Sequence, residues 1–351
     1  MVIMAKERID KINNTPLNFV IGKERSGTTL LQVMLNAHSQ IVAPPESRFI
    51  MLLYRKYGSK RNWSEKAVRD FCDDLYAENL FKKYWNIDKE KLCSSLVEIK
   101  GSLTYSLLCK TVFYHFAPAG KDIKMFVDKN PIYYYFIPEI GKMFPGAKYI
   151  HIVRDYRANI ISHKRISDIY LSIADMAYRW LKVHEMIEEA KSKAPQQWIT
   201  LKYESLVTDP EKALKEICGF LNIPFEENMV QSHNTKLFEG FYKNKEGTAF
   251  QKFHGNMFKP INASLADEWK EKMPADDLAI AESIAGQFAE KTYGYKIYSE
   301  KTGYHISSIR FFIVKCKYVL IKKYIKLLKY RWMFFMHKYF VPALLRILNS
   351  K

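Results

Sequence analysis

The sequence lacks the features of disulfide-stapled, zinc-binding and membrane-spanning proteins. Its five cysteines are odd in number and scattered, and they form neither a CxxC pair nor a Cys/His set with metal-ligand spacing. This pattern predicts no disulfide framework and no metal site, and it favours a reducing compartment. Residues 1–18 alternate charged and apolar side chains without a run as long as a signal peptide or membrane anchor. We therefore expect a cytoplasmic protein.

Acidic residues are absent from residues 301–351, which carry twelve of the Lys and Arg residues. Most of the net charge of +18 belongs to this segment, so the sequence argues against a nucleic-acid-binding core. Apolar residues recur there at helical spacing over 309–328, and a second apolar helix is predicted around 341–348. Because lysines are too frequent for a membrane span, 309–348 is predicted to lie on an anionic membrane surface such as the inner membrane, and the alternative is that it packs on the domain with a solvated basic face.

A glycine-bracketed loop follows the first apolar run, at 17–21, and precedes apolar residues at helical spacing. Gly22 and Gly27 allow the backbone to turn successive N–H groups inward, and the N-terminus of the following helix favours an anion. The spacing matches the nucleotide pattern GxxxxGK[ST], except that Thr28 replaces the lysine. We therefore expect a phosphate-rich donor bound without the usual magnesium arrangement. The alternative is an ordinary tight turn.

Strand and helix patterns alternate through residues 1–300, which predicts one α/β domain with a P-loop-type parallel sheet covered by helices. Further strands are predicted at 123–128, 147–153 and 197–201. Residues 50–120 are predicted to form a helical insertion rich in aromatic residues. An insertion at this place commonly shapes the pocket for the molecule that accepts the transferred group. The alternative, which holds for most such aromatic residues, is that they belong to the core. Residues 301–351 are the basic helical appendage.

Charged and polar residues follow the predicted strands, at the edge where open parallel sheets bind ligands. Lys129 follows the second predicted strand, Arg154 follows the third with Ser162 eight residues later, and Tyr203 follows the fourth. Lys259 lies in a late polar stretch that is predicted to close over an anionic ligand. The sequence thus predicts a basic, anion-binding edge.

Glu46 follows paired prolines at the start of a helix, for which Ser47 is the predicted cap. The carboxylate has an ordinary interpretation as negative charge at a helix N-terminus. From this stretch alone, a catalytic role for Glu46 and a role as helix N-terminal charge are equally open.

Two motifs together resemble those of a known family. They are Gly22-Lys23-Glu24-Arg25-Ser26-Gly27-Thr28-Thr29 and Phe144-Pro145-Gly146-Ala147-Lys148-Tyr149-Ile150-His151-Ile152-Val153-Arg154-Asp155 with Ser162. Over residues 17–298 the chain resembles the sulfotransferases that use 3′-phosphoadenosine 5′-phosphosulfate (PAPS), in particular the branch of the tyrosylprotein sulfotransferases and their bacterial relatives.

The resemblance implies roles for individual residues. Donor binding would involve Arg25, Ser26, Gly27, Thr28 and Thr29 at the 5′-phosphate, Arg154 and Ser162 at the 3′-phosphate, and Tyr203 and Lys259 near the nucleotide. Glu46, followed two residues later by Arg48, would be the catalytic carboxylate. By analogy with phosphoryl transfer, Arg25 and Lys129 would neutralise the leaving phosphate while Glu46 takes the proton of the acceptor hydroxyl. The weaker alternative is a histidine base, His151 or His163.

The expected acceptor is a lipid, sterol or saccharide hydroxyl. A protein tyrosine is disfavoured because the enzymes that modify it enter a secretory compartment, and this sequence shows no N-terminal anchor. Two other classes stay open. A P-loop kinase or NTPase needs the loop lysine and a magnesium aspartate, for which Asp128 is the candidate. A non-catalytic, membrane-associated nucleotide-binding protein would explain the tail but leaves the charged strand ends without a role.

Overall fold

Five parallel strands form the centre of the fold in a computed structural model that describes residues 2–165, 171–231, 261–299 and 308–327. The strands are β1 (Leu17–Ile21), β2 (Ile41–Val42), β3 (Met125–Lys129), β4 (Tyr149–Val153) and β5 (Trp198–Lys202). Their order across the sheet is β2-β3-β1-β4-β5, and all neighbours run parallel. Because β1 lies between two strands that follow it in the chain, the crevice at its carboxyl end is the expected ligand site.

Helices cover the sheet, as the crossovers between parallel strands require. They are α1 (Val2–Asn14), α2 (Thr28–Asn36), α3 (Phe49–Tyr57), α4 (Glu65–Ala77), α5 (Asn79–Tyr84), α6 (Lys89–Glu98), α7 (Tyr105–Phe116), α8 (Ile137–Met143), α9 (Tyr156–Lys164), α10 (Ile173–Lys193), α11 (Tyr203–Thr208), α12 (Pro210–Leu221), α13 (Trp269–Lys272), α14 (Ala275–Ala281), α15 (Gln287–Tyr293) and α16 (Ser308–Leu327). A 3₁₀ turn, Pro131–Tyr135, follows β3, and a π-helical turn, Glu282–Gly286, joins α14 to α15. The predicted α/β architecture is confirmed.

The residues of β1 contribute to two apolar cores, one on each face of the sheet. Phe19 and Ile21 belong to a core that includes side chains of α3 to α7, whereas Val20 belongs to a core with side chains of α2 and α12. Every residue of β1 is buried. A strand covered on both faces reads as a continuous apolar run, which is why this strand was recognisable in the sequence.

Helices α3 to α7 form the insertion between β2 and β3, and their aromatic residues pack on one another. The ring of Phe49 lies 5.6 Å from Trp85 and 6.1 Å from Phe113, and Phe113 lies 5.7 Å from Phe126 of β3. These four side chains are almost completely buried. They therefore serve as core and join the insertion to the sheet, while an acceptor-binding role for this region stays a prediction.

Three local predictions were wrong or incomplete. Strand β2 was missed, since its two residues gain strand character only by pairing with β3. Ser47 does not cap α3: its hydroxyl donates to Glu78 Oε2 at 2.8 Å, and Arg48 occupies the N-cap position without a side-chain cap. The sequence pattern predicts one helix at 133–144, but the structure divides this stretch into a 3₁₀ turn and α8, because Pro138 lies near the start of α8 and lacks an N–H.

Candidate active site

The loop between β1 and α2 requires both of its glycines. Gly27, the N-cap of α2, has φ +87°, and an added Cβ would lie 2.4 Å from the ring of Tyr203. An added Cβ at Gly22 would lie 2.4 Å from the carbonyl oxygen of Ile152. The first N–H groups of α2 have no acceptors within the helix, so this end of α2 suits an anion. The buried Thr28 and half-buried Thr29 begin the helix.

Arg25 has φ +71°, a left-handed conformation that is uncommon outside glycine and persists where neighbouring groups enforce it. Asn159 of α9 holds this part of the loop: its Nδ2 donates to the carbonyl oxygen of Glu24 at 2.7 Å and to Ser26 Oγ at 3.2 Å. The side chain of Arg25 reaches the same helix, where its Nε donates to Ser162 Oγ at 3.3 Å. The structure thus brings together residues of the first and second sequence motifs.

Arg154, the first residue after β4, joins this group. It donates from Nη1 to the carbonyl oxygen of Arg25 at 3.2 Å and from Nη2 to that of Leu265 at 2.6 Å, and its guanidinium carbon lies 4.3 Å from the ring centre of Tyr203. Its Nε is buried without a hydrogen-bond partner in the described part of the chain. Burial and the charge of Arg154 lower the pKa of Arg25 to about 10. The buried Arg154 and the half-buried Arg25 lie this close with like charge, which favours an anion beside them, as a phosphate site requires.

Glu46 and Lys129 form an ion pair at the same edge of the sheet. Lys129 Nζ donates to Glu46 Oε2 at 2.9 Å, and Arg48 Nε lies 3.9 Å from Oε1. The side chain of Lys129 is 3% exposed and that of Glu46 is 26% exposed. Lys129 is in register with Val20 of β1, two residues before the loop between β1 and α2 (residues 22–27, here called the phosphate loop) begins. A carboxylate and an ammonium group therefore lie side by side near the loop, an arrangement that suits proton removal from a hydroxyl and stabilisation of negative charge.

Both alternative bases have a lowered pKa, although only His151 is fully buried. His151 of β4 is fully buried, and burial together with nearby His184 holds its pKa well below the usual range. His163 of α9 has its Nε2 3.5 Å from Lys23 Nζ, and burial and that charge lower its pKa to about 3. An imidazole with so low a pKa is a weak base at neutral pH, which favours Glu46.

Asp128 is poorly suited to bind magnesium. It is 2% exposed, and its Oδ1 accepts a hydrogen bond from Asn130 Nδ2 at 2.8 Å. Burial raises the pKa of Asp128 to about 8, so the carboxyl is largely protonated at pH 7 and is a weak cation ligand. Among the residues that the structure describes, no group of three or more His, Cys, Asp or Glu side chains is arranged to hold a metal ion. Lys259, one of the predicted nucleotide contacts, lies outside the described residues.

A charged cluster beside the loop was missed in the sequence. Lys23 is buried and pairs with Glu24, and Tyr134 Oη lies 3.5 Å from Glu24 Oε1. Burial by itself would raise the pKa of Glu24, but the charges of Lys23 and Arg179 outweigh burial and hold that pKa well below its usual range. Asn159 was missed as well, but its position three residues before Ser162 on α9 is a signal that places both on one helix face.

Comparisons with known proteins agree with this arrangement. A family model described as "Sulfotransferase family" matches residues 16–227, more than half of the chain. Protein-tyrosine sulfotransferase 1 of Danio rerio is 28% identical over 273 residues, which cover 76% of this chain and 69% of the relative. Protein-tyrosine sulfotransferase 1 of Homo sapiens is 27% identical over 295 residues, which cover 82% and 72%, respectively.

Solved structures show the same fold. The sulfotransferase domain from the curacin biosynthetic pathway aligns with a TM-score of 0.53 and 24% identity, over 78% of this chain and 97% of that one. The sulfotransferase domain of the Synechococcus PCC 7002 olefin synthase aligns with a TM-score of 0.53 and 23% identity, over 78% and 94%. The chain therefore belongs to the sulfotransferase family, the family suggested by its two sequence motifs, and it is a sulfotransferase enzyme.

Proposed function

We propose that this enzyme transfers a sulfuryl group from PAPS to the hydroxyl of a lipid, sterol or saccharide, with Glu46 as the general base. The observation that carries the proposal is the Glu46–Lys129 pair, 2.9 Å apart at the edge of the sheet where the phosphate loop begins. The kinase and the non-catalytic binder are not favoured, because the family is that of sulfotransferases.

The residues at the loop fit a donor with two phosphate positions. The N-terminus of α2 and the backbone around Ser26 suit the 5′-phosphate, and Arg25 lies beside them. Arg154, with its unpartnered buried Nε, and Ser162 suit the 3′-phosphate. When bound, PAPS supplies a sulfuryl group on a phosphate leaving group, and Arg25 and Lys129 are the cations assigned to the charge that develops there.

Glu46 has the position of a proton acceptor. Lys129 binds its Oε2, which orients the carboxylate that would take the proton of the acceptor hydroxyl. The side chain is 26% exposed, whereas Lys129 is almost fully buried. An acceptor can therefore approach Glu46 from the solvent side while Lys129 holds the carboxylate from within.

An amphiphilic acceptor would reach the site from a lipid surface at helix α16, whose exposed apolar side chains include Phe312 and Leu320. This helix packs on α10, which also carries Arg179 beside the loop cluster. A protein tyrosine is the second candidate acceptor, because the curated relatives carry the name protein-tyrosine sulfotransferase.

One series of assays tests both the base and the acceptor. Labelled PAPS is incubated with lipid, steroid, glycan and tyrosine-peptide pools, and turnover is then measured on the acceptor that becomes labelled. Glu46→Gln should reduce turnover by roughly 10²-fold or more and leave the affinity for adenosine 3′,5′-bisphosphate nearly unchanged. Glu65→Gln, at an exposed ion-paired glutamate of α4, is the matched control and should be fully active.

Two results would contradict the proposal. Near-normal turnover of Glu46→Gln would remove Glu46 as the base and return attention to His163. Transfer to the tyrosine peptides alone would replace the lipid, sterol or saccharide acceptor with a protein tyrosine, while the base assignment would stand.

A further inference from the structure

Helix α16 carries apolar side chains on two opposite sides, and one side packs on the catalytic domain. Phe311, Val314 and Tyr318 lie against Tyr178 of α10, with ring centres 5.6 Å apart for Phe311 and for Tyr318. On the same side Lys317 is largely buried, with its Nζ 3.7 Å from a carboxylate oxygen of α10. This side of α16 is therefore an intramolecular interface.

The opposite side of α16 is apolar and exposed. Ile309 is 74% exposed and Phe312 is 66% exposed, and Ile313, Val319 and Leu320 are exposed as well. In the described part of the chain, five of the seven large apolar side chains that are exposed lie on this one helix. Isolated exposed apolar residues are ordinary, but a cluster of this kind marks a surface that binds another apolar phase.

Lysines border this exposed surface. Lys315 and Lys323 are exposed, and Lys322 is half-buried. The sequence from 301 to 351 contains no Asp or Glu, so no acidic side chain of that segment opposes an approaching anion. Apolar side chains bordered by lysines on a helix match the boundary between anionic headgroups and acyl chains. Among the described helices, none combines the length and the apolar character needed to cross a bilayer.

The docked side of α16 lies close to the catalytic edge of the sheet. The phenol groups of Tyr318 and Tyr135 lie close enough to interact, and Tyr135 belongs to the 3₁₀ turn that follows Lys129. The ring of Tyr135 lies 4.4 Å from that of Tyr134, and Tyr134 Oη lies 3.5 Å from Glu24 of the phosphate loop. A short series of side-chain contacts thus connects α16 to the loop.

We propose that the exposed side of α16 binds an anionic lipid bilayer. The surface consists of Ile309, Phe312, Ile313, Val319 and Leu320, bordered by Lys315 and Lys323. The helix lies in the plane of the interface, with its apolar residues among the acyl chains and its lysines at the headgroups. Its docked side then holds the catalytic edge near the bilayer. The inference goes beyond the proposed function, since lipid binding does not depend on the identity of the acceptor.

The test is flotation of the full chain with vesicles of phosphatidylcholine alone or mixed with phosphatidylglycerol. The protein should float with the anionic vesicles at low salt and be released as salt rises. Phe312→Ser/Leu320→Ser should weaken binding by about tenfold or more, because two apolar side chains no longer enter the bilayer. Lys315→Gln/Lys323→Gln should weaken it by roughly fivefold for each lysine.

Matched controls come from exposed residues elsewhere. Lys82→Gln/Lys91→Gln removes two exposed lysines of the insertion, and Ile297→Ser removes an exposed apolar side chain outside α16. Both should bind vesicles like the wild type. Transfer to a water-soluble acceptor should be unchanged in all four variants, which separates a failure of lipid binding from a failure of the proposed reaction.

Three outcomes would overturn the inference. The wild type does not float with anionic vesicles at low salt. Phe312→Ser/Leu320→Ser binds as tightly as the wild type, which would assign binding to another part of the chain. Finally, the wild type does not bind vesicles but sediments as a dimer, and Phe312→Ser/Leu320→Ser sediments as a monomer. The exposed side of α16 would then be a contact between two copies of the chain.

Discussion

Replacing Arg154 with alanine should remove most of the preference for adenosine 3′,5′-bisphosphate over adenosine 5′-monophosphate. Arg154 already donates to two carbonyl oxygens, so the group left for a ligand is its buried, unpartnered Nε. A hydrogen bond from a charged donor contributes roughly 1.5–3 kcal/mol, and the 3′-phosphate is present in only one of the two nucleotides. We expect a selective loss of about 2 kcal/mol or more, which corresponds to roughly 30-fold in the ratio of the two affinities.

The ratio is the informative quantity because Arg154 also acts on the loop. Its Nη1 holds the carbonyl oxygen of Arg25, and its charge repels the guanidinium of Arg25. Both effects reach the 5′-phosphate site and so change the affinity for either nucleotide. Calorimetric titrations with each nucleotide separate these common effects from the selective one. Arg69→Ala, at an exposed arginine of α4, is the matched control and should leave both affinities unchanged.

Equal losses of affinity for the two nucleotides would refute the assignment of Arg154 to the 3′-phosphate. Arg154 would then act only by holding the loop. Ser162→Ala gives an independent check, since it should lower the same ratio by a smaller amount while leaving the contact between Arg154 and the loop in place.

Gly27→Ala should destabilise the protein by ~2 kcal/mol or more and abolish nucleotide binding, because its φ of +87° disfavours a side chain and the new Cβ would meet Tyr203 at 2.4 Å. Gly146→Ala, where nothing lies within 4 Å of the added Cβ, should change the melting temperature little, and similar shifts in both variants would contradict this reasoning. For His184, burial lowers the pKa to about 3, so below pH 6.5 the unfolded chain binds more protons and stability falls as pH falls toward 3, by up to ~1.4 kcal/mol per pH unit. In urea unfolding between pH 7.5 and 5, the free energy of unfolding should depend less steeply on pH for His184→Gln than for the wild type. The raised pKa of Asp128 acts in the opposite direction, but equally in both proteins. Identical slopes would therefore count against a buried neutral His184.

The sheet was largely readable from the sequence because β1, β3 and β4 are buried along their whole length. The bounds of β1 agree with the apolar run at 17–21, and Lys129 and Arg154 lie at the ends of β3 and β4 as expected. The two-residue strand β2 was not readable, since its conformation depends on pairing with β3 and not on a local pattern. For the same reason Ser47 was misassigned: the buried carboxylate of Glu78, distant in the sequence, competes for its hydroxyl.

The candidate active-site residues could be named from motifs, but the contacts between them could not. Nothing in the spacing shows that Lys129 contacts Glu46, because the two residues meet only when β3 brings its end to the start of α3. The left-handed backbone of Arg25 was equally hidden, since it depends on Asn159 from a helix more than a hundred residues away. Local patterns identify the elements, and tertiary contacts decide which side chains meet.

The phosphate loop takes its shape from contacts inside the protein. Asn159 holds its backbone, Arg154 binds the carbonyl oxygen of Arg25, and Tyr203 packs against Gly27. The conformational entropy of the loop is therefore lost when the chain folds, and little remains to be lost when a nucleotide arrives. At this loop, association should then resemble docking on a rigid surface. Nucleotide affinity and resistance to unfolding should also rise and fall together among variants of these contacts, because both depend on the same few hydrogen bonds.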